Sequence, residues 1–306
     1  MKHTMTTTPT EIGLLGSEGV RDLLKRSTSG QAVAAYAEAE PPLSWRTLAE
    51  GGWDVIGVQD EEEVRLRDLV EIARAWGRGC VQQPLVPTIM AKRHSRAAAE
   101  HEGPVTVALP LVGTGVGHVP HGRRGDVVVA AGLGAGTDEL LPVPDGDADD
   151  FAITVRGVET DLRTAMSDTV AREMAVILAA EVTGGAERLL EDSVAFAGER
   201  EQFGRPVGSF QAVKHHLADA AIAAELAETA VIWGAERPEE AFRGARFAVQ
   251  RSIDVAEIAV QVHGGLGFTW EMGLHFFLRN MMLVRDVVVA LEEEHGSDRV
   301  PEPAAL

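Results

Sequence analysis

Apolar positions recur with two different periods along the chain and divide it into three zones. From about residue 11 to 96, they recur every three or four positions in short runs, which predicts short amphipathic helices. From about 104 to 158, apolar and polar residues alternate in short runs separated by Gly, Pro and Asp, which predicts strands. From about 167 to 294, the helical period returns in four longer stretches. The chain is therefore predicted to be mainly α with a small β module.

The zone boundaries also predict the domain organisation. Ser167 or Asp168 is suited to cap the first long helix, and Pro206 and Pro238 mark breaks between later ones. Four long helices with short connections are typical of an antiparallel bundle. We therefore expect an N-terminal helical domain over 1–100, a shortened middle β domain over 101–163, a C-terminal four-helix bundle over 164–295 and a tail over 296–306.

The middle zone is expected to form a small antiparallel β module. Its predicted strands lie at 105–109, 126–131 and 151–155. A glycine-rich run at 132–136 follows the second strand and partly matches a dinucleotide-binding loop. Its third glycine comes one position early for that loop, and two prolines within 138–145 argue against the helix that would have to follow. The run is therefore interpreted as a turn.

Composition excludes several classes of function. The formal net charge of −19 argues against nucleic acid and against an anionic membrane surface, because both require clustered Lys and Arg. The single cysteine, Cys80, allows no intrachain disulfide and no zinc site built from thiolates. The first 13 residues are polar and lack the apolar stretch of a signal peptide, and no apolar run is long enough to span a membrane. We therefore expect a cytoplasmic protein.

Two segments in the last zone could carry chemistry, and the first runs from Arg200 to Gln211. Gly204 and Gly208 permit tight backbone geometry between two predicted helices. Arg200 offers a planar guanidinium suited to a pyrophosphate, and Gln211 can both donate and accept hydrogen bonds. From composition alone, a helical hairpin turn with solvated charges is the favoured interpretation of the segment.

The second segment runs from Gln261 to Thr269 and holds three glycines within four positions. Such a loop lets backbone N–H groups approach an anionic ligand, although an ordinary helix end is the simpler interpretation. His263 alone is more typical of a hydrogen-bonded core histidine, since no nucleophile elbow supports a Ser-His-Asp site. The adjacent His215 and His216 point in different directions on a helix, so no metal site is predicted.

Together the two segments resemble the C-terminal domain of the acyl-CoA dehydrogenase family. The family pattern R-x-Q-F-G-x-P-x-x-x-F-Q-x-x-K-x-x-L-A-D is met from Arg200 to Asp219. The pattern Q-x-H-G-G-x-G-F-T-x-E-x-x-x-H-x-x-x-R is met from Gln261 to Arg279. The resemblance is specific over about 165–290, weaker in the N-terminal zone and weakest in the middle.

The resemblance implies an FAD shared between two subunits. In the family, a glutamate removes the α-proton of an acyl-CoA thioester while a hydride leaves Cβ for N5 of the flavin. The flavin ring lies against one subunit's middle domain, and the neighbour's C-terminal bundle holds the pyrophosphate and adenosine. Carried over to this chain, the residues expected to bind the cofactor are Arg200, Gln202, Phe203, Gln211, Gln261, Gly264 and Gly265.

The sequence departs from the family where the flavin ring and the catalytic base should be. It has no match to the T-E-P-x-x-G-S-D, W-I-T-N or Y-E-G-T segments. The two family positions for the glutamate fall at Val288 and Met174. Glu173 is adjacent to the second, but a shift of one residue rotates a helical side chain by about 100°. Glu181, two turns further on, is interpreted as a structural or interface residue.

These losses predict the small subunit of a heteromeric acyl-CoA dehydrogenase, of the kind found in actinobacteria. A larger family subunit, in an α2β2 assembly, would then supply the base and most of the pocket for the acyl-CoA substrate, for example a steroid side chain or a fatty acyl group. Electron-transfer flavoprotein is the expected acceptor. One alternative is a self-sufficient homo-oligomer, such as a dimer, that uses Glu173 as a displaced base. Another is a structural homologue without redox function.

Overall fold

The computed structural model describes residues 8–28, 33–35, 42–58, 64–123, 126–145, 147–148 and 157–296. Within these residues, the N-terminal part contains five α-helices: α1 (Glu11–Thr28), α2 (Trp45–Glu50), α3 (Leu66–Gly77), α4 (Leu85–His94) and α5 (Arg96–Glu100). The strand of the middle zone predicted at 151–155 and almost all of the tail predicted at 296–306 lie outside the described residues.

Helix α1 packs on α3 through small residues. A methyl group added at Gly13 would lie 2.8 Å from Asp68, and one at Gly16 would lie 2.8 Å from Ile72. This close approach buries the glycine side of the helix and leaves Leu15 exposed.

The middle zone contains short strands in small sheets. Their bounds are β1 (Val105–Val107), β2 (Leu109–Pro110), β3 (Gly117–Val119), β4 (Val128–Ala130), β5 (Gly132–Leu133), β6 (Leu140–Pro142), β7 (Asp147–Ala148), β8 (Val158–Thr160) and β9 (Ala165–Met166). The described sheets have the orders β1-β4-β6, β2-β3-β8-β7 and β5-β9.

The pairing of these strands corrects one expectation and agrees with another. Strands β1 and β4 are parallel, as are β5 and β9, so the module is mixed rather than antiparallel. Between β1 and β4 the chain forms the β2–β3 hairpin of another sheet, and this long connection allows the two strands to run in the same direction. The glycine-rich run at 132–136 forms β5 and a turn, and strand β6 rather than a helix follows it.

The C-terminal zone is a bundle of four helices: α6 (Asp168–Glu199), α7 (Gln211–Glu236), α8 (Ala241–His263) and α9 (Leu274–His295). The Ser167 side chain accepts a hydrogen bond from the Val170 N–H and caps α6. A hairpin of β10 (Glu201–Gln202) and β11 (Arg205–Pro206) joins α6 to α7. The prediction of a mainly α protein with a small β module and a four-helix bundle is confirmed.

The N-terminal helices and the bundle meet where α3 crosses α6. The backbones touch at two glycines: a methyl group at Gly77 would lie 1.7 Å from the Glu181 carbonyl oxygen, and one at Gly184 would lie 1.8 Å from that of Arg74. No larger residue fits at either position without separating the helices. In the described residues, no helix is long and apolar enough to cross a membrane.

Candidate functional site

The two segments singled out in the sequence lie at the same end of the bundle. Arg200 ends α6, and its N–H donates to the Phe196 carbonyl at 2.8 Å. The Phe196 ring stacks on His263, with 4.2 Å between ring centroids. His263 is the last residue of α8 and is followed directly by Gly264, so one aromatic contact connects the start of the first segment with the start of the glycine loop. His263 itself is buried, and its Nδ1 lies 2.8 Å from the Ala259 carbonyl oxygen.

A tight hairpin presents the side chains of the first segment to solvent. Phe203 and Gly204 form its two-residue turn, and both have positive φ, at 54° and 76°. A left-handed backbone is strained for a residue with a side chain. Phe203 is nevertheless 93% exposed, and its nearest ring neighbour is Phe210, edge-on at 6.2 Å. Gln202 is also exposed, and its Nε2 donates to the carbonyl of Glu201.

The remaining predicted residues are exposed as well. Gln211 begins α7, and its side chain lies 2.8 Å from His215 Nε2. Gln261 lies in the last turn of α8. Gly264 has φ 60° and ψ −137°, a conformation that only glycine adopts readily, and a methyl group at Gly264 or Gly265 would meet no atom within 4 Å.

This arrangement fits an anionic cofactor that extends beyond the chain. The guanidinium of Arg200 is exposed and forms no ion pair among the residues that the structure describes. Open backbone at Gly264 and Gly265 leaves room for a diphosphate to approach the main chain of the loop. The side chains that could contact FAD therefore face outward from the bundle and do not enclose a complete pocket.

Glu173, the alternative base, is held in an ion pair. Its Oε2 lies 2.9 Å from His94 Nε2 and 3.3 Å from Arg93 Nε, both on α4. Burial alone would raise the pKa of this carboxyl, but the hydrogen bond to His94 and the charge of Arg93 outweigh it and lower the pKa below its usual value. A carboxylate held in this way is a poor proton acceptor.

Replacing Glu173 by Gln should lower the free energy of unfolding by about 1–2 kcal/mol, because a half-buried Arg93 loses its counter-charge. Urea denaturation would measure this. Glu100→Gln, which breaks the exposed pair with Arg96, is the matched control and should change little. Loss of turnover in a reconstituted enzyme with unchanged stability would contradict the structural role.

The two family positions for the catalytic glutamate are apolar and fully buried here. Met174 lies on α6 and Val288 on α9, each without solvent exposure. Another carboxylate on α6, that of Glu181, lies beside a cavity. The sequence indicated this residue only as a structural or interface residue. Glu181 lies seven residues after Met174, which places both residues on the same face of the helix. This spacing was the feature of the sequence that could have identified Glu181.

Glu181 borders a small cavity where the N-terminal helices, the β module and the bundle meet. The cavity has a volume of about 50 Å³, and its polar lining residues are Cys80, His118, His121, Glu181 and Asn280. Neither the Glu181 carboxyl nor the Asn280 amide forms a hydrogen bond within the described part of the chain. Burial raises the pKa of Glu181 to about 7.

Comparisons with known proteins agree with this architecture. Residues 164–285 match the family model of the acyl-CoA dehydrogenase C-terminal domain. Acyl-CoA dehydrogenase IpdE2 from Mycobacterium tuberculosis is 32% identical over 89% of this chain and 91% of its own length.

Two solved structures share the fold. One is the ChsE4–ChsE5 complex from Mycobacterium tuberculosis, with a TM-score of 0.72 and 20% identity over 98% of this chain and 100% of the other. The other is the Tcur3481–Tcur3483 steroid ACAD, with a TM-score of 0.71 and 22% identity over 93% and 97%.

The family model covers the bundle, and the relative extends the similarity over the N-terminal helices and the β module. The resemblance inferred from the two motifs is thereby confirmed. This chain belongs to the acyl-CoA dehydrogenase family.

Proposed function

We propose that this chain is the small subunit of a heteromeric acyl-CoA dehydrogenase and completes an FAD site at the interface with a larger family member. The observation that carries the proposal is the exposed half-site at the end of the bundle. Arg200 and the Gly264–Gly265 loop lie at one end of the bundle, connected through the Phe196–His263 stack, and both are exposed to solvent. Such a surface suits a cofactor bound mainly by another subunit.

The interior of the chain supports the same proposal. An acyl chain or a flavin ring requires a pocket of several hundred Å³. The cavity at the junction of the three parts has about 50 Å³, which accommodates only a few water molecules. Met174 and Val288 replace the family's carboxylates with apolar side chains, and Glu173 is in an ion pair. A self-sufficient dehydrogenase is therefore the weaker candidate.

The substrate class follows from the family and from the names of its relatives. We propose an acyl-CoA thioester, with a steroid side chain favoured over a simple fatty acyl group, because one solved protein of the same fold is named a steroid ACAD. The ChsE4–ChsE5 structure is named as a complex of two proteins, which is the arrangement proposed here. Electron-transfer flavoprotein as acceptor and a cytoplasmic location complete the proposal.

When bound, FAD supplies the hydride acceptor for oxidation of the Cα–Cβ bond. In the proposed assembly, this chain would bind and orient the cofactor. Arg200 would neutralise the diphosphate, and the open main chain at Gly264 and Gly265 would let the diphosphate approach closely without a side chain in the way. Gln202, Gln211 and Gln261 would contact the adenosine and pyrophosphate parts, with Phe203 packed beside them. The partner subunit would contribute the base and the acyl pocket.

Co-purification with the larger subunit tests the proposal directly. We expect stoichiometric flavin and acyl-CoA dehydrogenation only when this chain and its partner are produced together, measured by flavin absorbance and by reduction of an artificial electron acceptor. Full flavin content and turnover from this chain alone would disprove it. Failure of every assembly to bind FAD would favour the structural homologue instead.

Replacing Arg200 by Gln should weaken FAD binding to the assembly by roughly tenfold to a hundredfold, because a charge-assisted hydrogen bond to the diphosphate is lost. The matched control is Arg205→Gln in the same hairpin. The guanidinium of Arg205 lies 4.1 Å from the centre of the Phe210 ring rather than at the glycine loop. Titration of apo-assembly with FAD would measure both, and equal effects would contradict the proposed role of Arg200.

A further inference from the structure

A second pocket, with a basic lining, includes none of the residues proposed to bind FAD. It has a volume of about 280 Å³ and lies between α1, the end of α3 and α6. Four basic side chains line it: Arg21, Lys25, Arg78 and Arg188. The chain as a whole has a formal net charge of −19. Four cations on one concave surface nevertheless indicate a positive electrostatic potential at this place.

Two of the four cations are paired with carboxylates. Arg78 Nη1 lies 3.3 Å from Glu187, and Arg78 Nη2 lies 2.5 Å from Glu191. Arg188 Nε lies 2.8 Å from Asp192. These contacts hold both guanidinium groups in place and neutralise most of their charge. Arg78 and Arg188 therefore form part of the pocket wall but add little to its net positive charge.

The other two cations have no such partner. Arg21 and Lys25 lie one turn apart on α1, both are exposed, and neither forms an ion pair within the residues described by the structure. Lys25 lies in the last turn of α1, where a cation stabilises the helix end. Arg21 lies almost two turns before the end at Thr28, so the helix end does not account for it.

The floor of the pocket is apolar and kept open by a glycine. Leu24 and Ala75 are buried there. A methyl group at Gly79 would lie 2.7 Å from Leu24 Cδ2, so any side chain at this position would press into the floor. The pocket is therefore a concave surface with an apolar base and a cationic rim, close to the lower end of the size range of small-ligand sites.

We propose that this pocket binds a small phosphate-bearing anion, with Arg21 and Lys25 as its main ligands. Guanidinium and ammonium groups are the side chains that bind phosphate oxygens most strongly. The site is separate from the proposed FAD half-site, because Arg188 precedes Arg200 by twelve residues on α6, about 18 Å along the helix axis. It does not depend on the proposed dehydrogenase function.

Inorganic pyrophosphate is the probe, titrated calorimetrically into the purified chain at low ionic strength, where charge interactions are least screened. We expect saturable binding that weakens by roughly tenfold or more in the double variant Arg21→Gln and Lys25→Gln. The charge-conserving pair Arg21→Lys and Lys25→Arg should retain binding, and circular dichroism would verify that each variant is folded.

Two controls separate this pocket from other cationic surfaces. Arg26→Gln removes a neighbouring exposed cation of α1 that does not line the pocket, and Arg200→Gln removes the proposed FAD ligand. Arg26→Gln should bind pyrophosphate like the unmodified chain, and Arg200→Gln should retain the saturable binding that the double glutamine variant loses. Absence of saturable binding, equal binding by the double glutamine variant, or loss of binding in Arg200→Gln would each overturn the proposal.

Discussion

Replacing Arg74 by Met should lower the free energy of unfolding by about 3 kcal/mol, because it removes the centre of a buried ion network. Arg74 lies on α3 with a side chain that is only 7% exposed. Its guanidinium contacts Glu187 on α6 at 2.5 Å, Glu228 on α7 at 2.7 Å and Glu71 on its own helix at 3.2 Å. Met preserves much of the side-chain volume, so the loss reports mainly on the charge.

The network explains why this loss should be large. Burial alone would lower the pKa of Arg74, but the charges of Glu187 and Glu71 outweigh it and raise the pKa above its usual value. In the variant, Arg67 can still pair with Glu71 and Arg78 with Glu187, whereas Glu228 loses its ion pair and each of the other two carboxylates loses one of its cations. Breaking a buried pair from one side leaves uncompensated charge, which costs more than the pair contributes.

The matched control is Arg46→Met, which breaks the ion pair with Glu50 at 2.7 Å on the exposed face of α2. An exposed pair contributes at most about 1 kcal/mol. Urea denaturation of both variants, with the dependence on urea concentration checked for a common slope, would measure the difference. Equal losses in the two variants would show that the network does not hold α3 to the bundle.

Replacing Glu181 by Gln should stabilise the chain at pH 8 by about 3 kcal/mol and have little effect below pH 4.5. The pKa of Glu181 is about 7 in the folded chain, against an ordinary value of 4.5. Between these values the folded state binds more protons than the unfolded state. The contribution of this group to stability is therefore greatest below pH 4.5 and is lost as the pH rises through 7.

Geometry gives the physical reason for that shift. The carboxyl borders the cavity shared with Cys80, His118, His121 and Asn280, and none of the described residues donates a hydrogen bond to it. Ionisation therefore puts an unpaired negative charge into a confined space. Gln has nearly the same shape and removes the charge at every pH.

The measurement is the unfolding free energy of both proteins from pH 5 to 8. Glu225→Gln on the exposed face of α7 is the matched control, and its curve should run parallel to that of the unmodified chain. A difference between Glu181→Gln and the unmodified chain that stays constant with pH would contradict the raised pKa. If the stability of the unmodified chain alone increased with pH, the pKa of Glu181 would be lowered in the folded chain rather than raised.

The order and type of the main elements were determined locally. Helical periodicity placed the four bundle helices, and Ser167 begins α6 because a short hydroxyl side chain can accept a hydrogen bond from the first turn. Pro206 and the glycines at 204 and 208 separate one helix from the next. These features depend on residues within one or two turns of each other, so the sequence alone was sufficient to predict them.

The two motifs of the proposed FAD site were also recognisable in the sequence, and the family resemblance implied that they lie close together, but local patterns alone could not show this. Arg200 and Gly264 are far apart in the chain, and only the packing of α6 against α8 brings Phe196 onto His263. Their role in binding FAD stays a prediction. The domain boundaries at 100, 163 and 295 also stay predictions. The mainly α architecture, in contrast, could be predicted from local patterns in the sequence.

Tertiary structure alone decided the chemistry of the carboxylates. Glu173 and Glu181 are two turns apart on one helix, yet α4 presents His94 and Arg93 to the first and the domain junction leaves the second without a partner. Their pKa values shift in opposite directions for that reason. A sequence specifies which groups can ionise. The desolvation of a carboxylate and its ion pairs depend on residues about 80 positions away or in other domains, and only folding brings these residues together.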